Sequence, residues 1–398
     1  MGDREECYLS DGVLPVIVID AISARQGGGQ TYLFNLLEYF PEDAKVRVLV
    51  LALPGWDVKV SKTNVEVKFV RRWLVNPLVR ALWQRFKLPG ILRELGASVV
   101  FVPGGVSSLR PLTDCKLVTM SRNMIPFDIT ARRRYPFGWQ RARNWLLRRA
   151  MESSLVNADL VIFLSQYAFN TITAVIRKSI RASLIIPHGV NDAFFSAVTD
   201  GHLKLPEGSQ SYEYLLYVSS IDFYKAQCEV VEAFSEYVDV TSSREKLLLV
   251  GPANKGYLKK VYRTIKKLKL DEKVIVLGTL PYEKIPALYR RAKAIVFASE
   301  VENCPNILLE SMASGRPVFC SSSQPMPEFG GGAVIYFEPR SPSDLAGKLV
   351  TILADQQACT KWANRASVRG KSYRLNESAT KTWDALFSLL PKIDCQKV

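Results

Sequence analysis

The stretch of sequence that decides the fold is ASEVENCPNILLESMASGRPV, at residues 298–318. Its first residues end an apolar strand, and a polar loop carrying Glu302 follows. Pro305 predicts the start of a helix, because proline is favoured in the first turn, and Gly315 predicts its end. Strand, helix and strand in this order are the repeating unit of a parallel α/β sheet. At the carboxyl edge of such a sheet, the free N–H groups and positive dipole end of the helix favour an anion.

Two carboxylates accompany this predicted anion site. Glu302 lies at its mouth and Glu310 lies inside the helix. A carboxylate beside a phosphate is electrostatically unfavourable, so we expect both groups to accept hydrogen bonds from sugar or ribose hydroxyls. Taken alone, the pair also fits ordinary helix-capping or surface glutamates.

The rest of the chain repeats the same alternation. Short apolar runs rich in β-branched residues alternate with longer helical stretches, which predicts two α/β domains with parallel sheets. The predicted strands are 16–20, 46–52, 65–70, 99–102, 116–120, 160–164, 183–186, 215–218, 246–250, 274–277, 294–298, 317–320 and 334–337. Residues 195–212 contain Gly201, Pro206 and Gly208 and predict a linker. The expected domains are therefore 1–194 and 213–374.

The composition excludes several classes of protein. Seven cysteines are scattered with no C-x-x-C spacing, which argues against a zinc ribbon or a disulfide framework and favours a reducing compartment. The chain has two histidines, His188 and His202, so a multi-histidine metal site is not expected. Apolar runs stop well short of the roughly 20 residues that span a bilayer, and the first residues do not resemble a signal peptide. We therefore expect a cytoplasmic protein without a transmembrane helix.

Positive charge is concentrated in the first half of the chain. Lys and Arg total 53 against 38 Asp and Glu, a net charge of +15, and residues 1–190 hold +11 of it. Two stretches, from Arg71 to Arg93 and from Arg132 to Arg149, contain no acidic residue. Together they hold four of the seven tryptophans. Such an excess implies an anionic partner: a membrane, a nucleic acid or a phosphorylated substrate.

The second of these stretches predicts a helix from Trp139 to Leu155. Helical spacing sorts its residues into two sides, with Arg141, Trp145, Arg148 and Arg149 on one and Ala142, Leu146 and Ala150 on the other. Arginines around an aromatic side chain suit lipid headgroups, so we expect both stretches to contact an anionic membrane surface. A solvated face whose tryptophan covers a neighbouring core is the alternative. Nucleic acid is not expected, because no recognised binding motif accompanies the charge.

An ordered series of further motifs accompanies the two glutamates. In chain order these are the glycines at 27–29, ADL at 158–160, FLS at 163–165, IPHGV at 186–190, LYV at 216–218, Lys225, LVG at 249–251 and VLG at 276–278. With the E-x7-E pair, this series resembles the donor-site signature of family 4 glycosyltransferases, the retaining enzymes of the GT-B fold. The resemblance covers nearly the whole chain. It implies two Rossmann-like domains whose parallel sheets face a central cleft, with a C-terminal helix at about 375–398 crossing back onto the first domain.

The resemblance also implies roles for individual residues. Glu310 is expected to bind the nucleotide ribose, Glu302 the donor sugar, and Lys225 the departing diphosphate, whose negative charge grows as the glycosidic bond breaks. The backbone of Asn306 and Ile307 is expected to face that diphosphate.

Glycines and apolar residues complete the site that the resemblance implies. Gly28 and Gly29 are expected to let the backbone approach the donor phosphates or the acceptor. Gly278 and Leu280 are expected to line the pocket for the base.

Two departures from the family pattern affect the site. Members commonly carry a Gly-Arg pair after the first strand of the second domain, where this chain has Ser219 and Ser220, so one phosphate-binding cation is missing and Ser219 takes a donor-binding position. Many members also carry a histidine after the strand that ends near residue 120. Here Arg122 or Asn123 is expected to orient the acceptor or the donor sugar instead.

The implied reaction moves a sugar from a nucleotide-sugar donor to a membrane-associated glycolipid or lipid-linked saccharide, as in cell-surface polysaccharide synthesis. We expect front-face attack by the acceptor hydroxyl, with the leaving phosphate oxygen helping to take its proton. No metal or other cofactor is expected, because the chain has no D-x-D-like acidic pair in a suitable loop. The expected location is the cytoplasmic face of a membrane. Two alternatives stay open: a nucleotide-sugar epimerase of the same fold, and a non-enzymatic basic membrane- or nucleic-acid-binding protein on a decayed transferase scaffold.

Overall fold

The computed structural model describes residues 14–24, 28–56, 62–128, 138–196 and 213–391. The chain divides into two units. The first ends at His188 and takes up the chain again at Asn376, and the second is Gly189–Leu375. Gly27, Arg132, most of the predicted linker and the end of the predicted C-terminal helix lie outside the described residues.

The described part of the first unit is a seven-stranded sheet covered by helices. Its strands are β1 (Val16–Asp20), β2 (Arg47–Ala52), β3 (Val65–Phe69), β4 (Ala97–Val102), β5 (Lys116–Ser121), β6 (Leu160–Phe163) and β7 (Ser183–Ile185). Between them lie the helices α1 (Gly28–Glu38), α2 (Pro77–Phe86), α3 (Leu88–Glu94), α4 (Trp139–Asn157) and α5 (Gln166–Thr173).

All strand pairs of the first sheet are parallel, in the order β3-β2-β1-β4-β5-β6-β7. Every residue of β1 is buried, as is typical of a parallel strand with helices on both faces. The chain winds outward in opposite directions from β1 and β4. The switch point of this sheet therefore lies between these two strands.

The second unit has the same architecture with six strands among its described residues. These are β8 (Tyr214–Val218), β9 (Lys246–Val250), β10 (Val274–Gly278), β11 (Ala294–Phe297), β12 (Val318–Ser321) and β13 (Ile335–Phe337), paired in parallel in the order β10-β9-β8-β11-β12-β13. The helices are α6 (Gln227–Thr241), α7 (Lys255–Lys267), α8 (Ile285–Arg291), α9 (Asn306–Ala313), α10 (Met326–Gly330), α11 (Pro342–Leu353) and α12 (Gln356–Gly370). The switch point lies between β8 and β11.

The last helix, α13 (Leu375–Phe387), joins the first unit from Asn376 onward. Trp383 is fully buried there, and its Nε1 donates a hydrogen bond to the Leu36 carbonyl at 2.8 Å. The Ser378 hydroxyl donates to the Pro187 carbonyl at 2.6 Å. An indole and a hydroxyl thus tie the end of the chain to a unit that the chain left at His188.

The first unit ends at His188, before the boundary predicted at residue 194. The Val190 N–H donates to the Tyr373 carbonyl at 2.8 Å, and Arg290 donates to the Phe194 carbonyl at 2.7 Å. Both partners belong to the second unit. Gly189 also packs too closely against Leu375 for a side chain, since a Cβ there would lie 2.3 Å from the Leu375 Cα.

All thirteen predicted strands are observed, with bounds that differ by at most two residues. Neither of the two sides predicted for α4 supplies its core residues. Met151 and Leu155 join the core of the first unit, whereas Trp145 and Leu146 are 52% and 55% exposed. The core-facing stripe therefore runs between the predicted sides, because a return every three or four residues from Met151 reaches Leu155 but not Leu146. No helix among the described residues combines the length and the apolar character needed to cross a bilayer.

Candidate functional site

The second sheet brings two predicted site residues to one place. Lys225 follows β8 and Glu302 follows β11, and these two strands are neighbours at the switch point. Open α/β sheets bind ligands beyond the carboxyl ends of their strands at such a point. The topology therefore places this lysine and this glutamate where a ligand is expected.

Lys225 and Glu302 form an ion pair at this edge, with side chains that are 6% and 17% exposed. The Lys225 Nζ also lies 5.0 Å from the centre of the Tyr224 ring and 5.6 Å from that of Phe297. Aromatic faces attract cations, and a buried ammonium needs such compensation because it has left water. Glu302 and the two rings together make the burial of this lysine tolerable.

The loop after β8 holds Lys225 in place. Asp222 accepts a hydrogen bond from the Phe223 N–H at 2.8 Å and so caps a short 3-10 turn that contains the lysine. The Tyr217 hydroxyl donates to the Lys225 carbonyl at 2.5 Å. Ala226, at φ +52°, then turns the chain into α6. The lysine is thus fixed through its backbone on both sides.

Glu310 lies half-buried on α9 and accepts a hydrogen bond from the Tyr282 hydroxyl at 2.9 Å. Burial raises the pKa of Glu310 to about 7, and the tyrosine hydrogen bond acts in the opposite direction. Burial and the neighbouring carboxylate raise the pKa of Tyr282 as well. Near neutral pH, a ligand that donates hydroxyl hydrogen bonds to Glu310 would therefore favour its ionised form.

The start of α9 is where the sequence predicts an anion. The helix begins at Asn306, directly after Pro305, and Gly315 follows its end with φ +67°. The Asn306 N–H donates to the Cys304 carbonyl at 2.9 Å, and Ile307 packs partly against the core. An anion that uses the Asn306 amide would have to replace this local hydrogen bond.

The other predicted positions of the second unit are Ser219, Gly278 and Leu280, and the first two make backbone hydrogen bonds between neighbouring strand ends. The Ser219 N–H donates to the Val250 carbonyl, and the Gly251 N–H donates to the Gly278 carbonyl, both at 2.8 Å. A Cβ on Gly251 would lie 2.1 Å from the Ser219 carbonyl oxygen, so only glycine fits there. Gly278 has φ +69°, which favours glycine, and Leu280 is half-buried against the core.

The acidic residues of the loop after β11 are paired with cations. Glu300 accepts hydrogen bonds from the Arg340 guanidinium at 3.1 and 3.2 Å, and Glu302 is paired with Lys225. Among the described residues, no cluster of three or more His, Cys, Asp or Glu side chains could hold a metal ion.

Arg122 is the centre of the predicted site in the first unit. It follows β5, its Nη2 donates to the Gly28 carbonyl at 2.9 Å, and its guanidinium lies 5.2 Å from the centre of the Tyr32 ring. Gly28 and Gly29 are the first two residues of α1. A Cβ on either would lie at ordinary contact distance from Arg122, so space alone does not require glycine.

His188 is buried beside the same tyrosine, with 5.1 Å between the centres of the two rings. Burial, together with the charge of Arg122, lowers the pKa of His188 to about 3, so this imidazole is neutral at physiological pH. Asn123 accepts a hydrogen bond from the Ile125 N–H at 3.1 Å. Its amide oxygen thus closes a turn beside Arg122.

Two family models match consecutive parts of the chain. The model described as Glycosyltransferase Family 4 matches residues 26–194, and the model described as Glycosyl transferases group 1 matches residues 206–369. The chain belongs to the family 4, group 1 glycosyltransferases. Lys225, Glu302 and Glu310 fall within the group 1 match, and Arg122 falls within the family 4 match.

Curated relatives match part of this glycosyltransferase. O-antigen chain mannosyltransferase B of Escherichia coli is 26% identical over 177 residues, which are 43% of this chain and 45% of the relative. The N-acetylgalactosamine-N,N'-diacetylbacillosaminyl-diphospho-undecaprenol 4-alpha-N-acetylgalactosaminyltransferase of Campylobacter jejuni is 26% identical over 182 residues, 44% of this chain and 46% of the relative. Each match spans a little under half the length of the relative.

Solved structures resemble the glycosyltransferase over nearly its full length. Sucrose-phosphate synthase of Thermosynechococcus elongatus has a TM-score of 0.75 at 17% identity, covering 94% of this chain and 99% of that one. Anabaena HepE in complex with UDP and glucose has a TM-score of 0.70 at 17% identity, covering 94% and 100%. With two parallel sheets in two α/β units, the fold is GT-B.

Sequence reasoning missed Tyr282 and a pair of glycines in this glycosyltransferase. Gly104 and Gly105 follow β4 at the switch point of the first sheet. Gly105 has φ +76°, and a Cβ on it would lie 2.8 Å from the Met120 carbonyl oxygen, two residues before Arg122. The Gly-Gly pair one residue after a predicted strand was the available signal. For Tyr282, the signal was its position two residues after Leu280.

Proposed function

We propose that this glycosyltransferase is a retaining enzyme that moves a sugar from a nucleotide-sugar donor to a glycolipid or lipid-linked saccharide in cell-surface polysaccharide synthesis. The observation that carries the proposal is the buried Lys225–Glu302 pair at the switch point of the second sheet. This pair gives one edge a cation for phosphate and an anion for sugar hydroxyls.

Binding of the donor would exchange partners within this pair. A nucleotide diphosphate brings more negative charge than one carboxylate, so Lys225 would move its interaction from Glu302 to the phosphates. Glu302 would then be free to accept hydrogen bonds from the hydroxyls of the donor sugar. The exchange keeps Lys225 compensated before and after binding, which a buried ammonium requires.

Glu310 would hold the ribose of the same donor. A carboxyl with a pKa of about 7 binds ribose hydroxyls best when ionised, since hydroxyl donors stabilise its charged form. Tyr282 would give up its hydrogen bond to the incoming ribose or share the carboxylate with it.

The transfer step would rest on positioning and charge. The acceptor hydroxyl would attack the anomeric carbon from the face that the diphosphate leaves, and a leaving phosphate oxygen would take the proton. Lys225 would stabilise the charge that grows on that oxygen. Arg122 would orient the acceptor or the donor sugar. No metal is needed for this scheme, so EDTA should not change the rate.

The nature of the acceptor is supported by the two relatives, whose names specify an O-antigen chain and a diphospho-undecaprenol glycan. The first unit carries most of the positive charge, as expected for a protein that works at an anionic membrane surface through the stretches from Arg71 to Arg93 and from Arg132 to Arg149. We place the enzyme peripherally on the cytoplasmic face of that membrane.

A thermal-shift screen across nucleotides and nucleotide sugars tests the proposal. A ligand at a hundred times its dissociation constant stabilises a protein by about 2.7 kcal/mol, which is readily measured. We expect one nucleotide diphosphate and its sugar conjugate to stabilise the wild-type protein, and Glu310→Ala to weaken both effects. If no nucleotide sugar is bound, hydrolysed or transferred, and Glu310→Ala changes nothing, the proposal is wrong.

A further inference from the structure

Helix α2 of the first unit presents a row of large apolar side chains to solvent. Leu78, Leu82 and Phe86 are 76%, 61% and 72% exposed. Their spacing of four residues places them on one face of the helix. Trp73, just before the helix, is 51% exposed. We call Leu78, Leu82 and Phe86 the α2 ridge. A contiguous group of exposed apolar side chains is typical of a site that binds a protein or a membrane.

The side of α2 that packs on the protein is the one opposite the α2 ridge. The opposite side of the helix is anchored through Gln84, which is buried, donates to the Asp20 carboxylate at 2.6 Å and accepts from the Ser108 N–H at 3.2 Å. Asn76 caps the start of the helix by accepting from the Leu78 N–H at 2.9 Å. The helix is therefore held in one orientation, with its ridge outward.

Positive charge surrounds the ridge. Arg71, Arg72 and Lys87 are exposed at the two ends of the helix, and no acidic residue occurs between positions 67 and 93. A second copy of this chain docked on the same face would bring like charges together. An anionic lipid surface suits both the ridge and its charge, because negative headgroups attract the basic residues and the apolar interior accepts the ridge.

We propose that the α2 ridge inserts into the boundary between headgroups and acyl chains of an anionic bilayer, with the surrounding basic residues on the lipid headgroups. Asp20 is the last residue of β1, so the Gln84–Asp20 bond fixes α2 at the carboxyl edge of the first sheet, the edge that also carries Arg122. Insertion there would bring a lipid-linked acceptor towards this edge. The insertion deepens the membrane association given under the proposed function, and the approach of the acceptor rests on that function as well.

Helix α4 supplies a matched contrast. Its Trp145 is 52% exposed, as Trp73 is, but the Arg149 guanidinium lies 5.6 Å from its ring. Arg148 is paired with Glu152 at 2.7 Å. We therefore expect α4 to contribute charge near the surface and α2 to contribute the apolar contact.

Co-sedimentation with vesicles tests the insertion. The full chain should bind vesicles of phosphatidylcholine with phosphatidylglycerol and bind those of phosphatidylcholine alone weakly. Replacing Leu82 and Phe86 by serine should lower the partition coefficient at least about tenfold, given the apolar area that leaves the interface. The control replaces Val240 and Val368, exposed apolar residues of the second unit, by serine and should bind as the wild type does. Equal binding by the ridge variant and the control would overturn the proposal.

Quenching of tryptophan fluorescence by brominated lipids tests the orientation. Trp73→Phe should remove most of the quenchable signal, and Trp145→Phe should remove little. The proposal is also overturned if Trp73→Phe leaves the quenching unchanged, or if the ridge variant converts a dimer in solution to a monomer, since the ridge would then bind a second copy. The ridge variant should keep the thermal shift by nucleotide. Loss of vesicle binding without loss of that shift separates this inference from the proposed function.

Discussion

In each of the two sheets the candidate functional residues lie at the carboxyl edge. The two units differ in how charge at that edge is compensated. In the second unit, each of the two glutamates of the candidate site has a partner within the protein: Glu302 has Lys225, and Glu310 has the Tyr282 hydroxyl. In the first unit, the two rings beside Arg122, those of Tyr32 and His188, are neutral at physiological pH.

This difference indicates which unit must reorganise when a ligand arrives. In the second unit a charged ligand has to replace contacts that already exist, so binding is an exchange. In the first unit, a ligand meets the neutral rings of Tyr32 and His188 beside Arg122. The predictions that follow test this contrast, and the largest effects are expected where an internal charge pair is broken.

Removing Lys225 should have the largest effect. Lys225→Met should lower kcat/KM for transfer by about 10²- to 10³-fold, as for loss of one group that stabilises charge in a transition state. It should also destabilise the second unit by about 3 kcal/mol, because Glu302 would be left buried without its cation. Kinetics and urea unfolding measure the two effects separately.

The second unit offers a matched control for this variant. Lys293 and Glu245 also form an ion pair, but they precede β11 and β9 and so lie at the amino edge of the same sheet. Lys293→Met should keep full activity. The double variant Lys225→Met, Glu302→Gln should regain stability but not activity. Equal loss of activity in the Lys225 and Lys293 variants would contradict the contrast between the two edges.

Arg122 should matter less than Lys225. Hydrogen bonds to charged groups contribute about 1.5–3 kcal/mol, so Arg122→Gln should lower transfer by about 10- to 100-fold. Nucleotide binding by the second unit should not change. Because the arginine charge helps to lower the pKa of His188, the variant should also raise that pKa, which NMR of the imidazole would detect.

Arg148→Gln is the control for this effect within the same unit. That arginine also lies over an aromatic ring, Phe127 at 5.9 Å, but it is paired with Glu152. The Arg148→Gln variant should transfer sugar to a water-soluble acceptor at the wild-type rate. If both arginine variants reduce transfer to this acceptor equally, Arg122 has no special role.

The sequence predicted the strands better than the partners of the site residues. Strands buried on both faces appear as continuous apolar runs, and this local signal located all thirteen. Lys225 and Glu302 were each singled out, but they are 77 residues apart, and their pairing depends on which strands become neighbours. Tyr282 was missed for the same reason, because its role depends on a contact with α9. The buried side of α4 was not predicted, since long arginine stems and leucines can occupy either position on a surface helix.

Nucleotide affinity should depend on pH through Glu310. With a pKa of about 7 in the free protein, the carboxyl is increasingly protonated below pH 7, and ribose hydroxyls favour its ionised form. Affinity should therefore fall as pH decreases through 7, approaching tenfold per pH unit, and binding near pH 6 should release a proton. Calorimetry in buffers of different ionisation enthalpy measures both. Glu310→Gln should bind more weakly and without this dependence.

Tyr282→Phe should move the midpoint of that dependence. The tyrosine hydrogen bond lowers the pKa of Glu310, so its loss should shift the midpoint above pH 7. Tyr262, an exposed tyrosine on α7, provides the control, and Tyr262→Phe should leave the midpoint in place. A midpoint that moves downward in Tyr282→Phe would contradict a hydrogen bond from the Tyr282 hydroxyl to Glu310.

The smallest expected effect concerns His188. This buried side chain of the first unit is neutral, in contrast to the Lys225–Glu302 ion pair of the second unit. Its pKa is about 3 in the folded protein and near 6.5 when unfolded, so the unfolded state binds the proton more tightly. The resulting stability is present above pH 6.5 and is lost as pH falls, by up to about 1.4 kcal/mol per pH unit. His188→Phe keeps a ring against Tyr32 and removes the titration. The free energy of unfolding in urea should therefore decrease between pH 7.5 and pH 5 by about 2 kcal/mol less in the variant than in the wild type. An unchanged pH dependence would mean that His188 can be protonated within the folded first unit, and its neutrality would then not distinguish the two sheets.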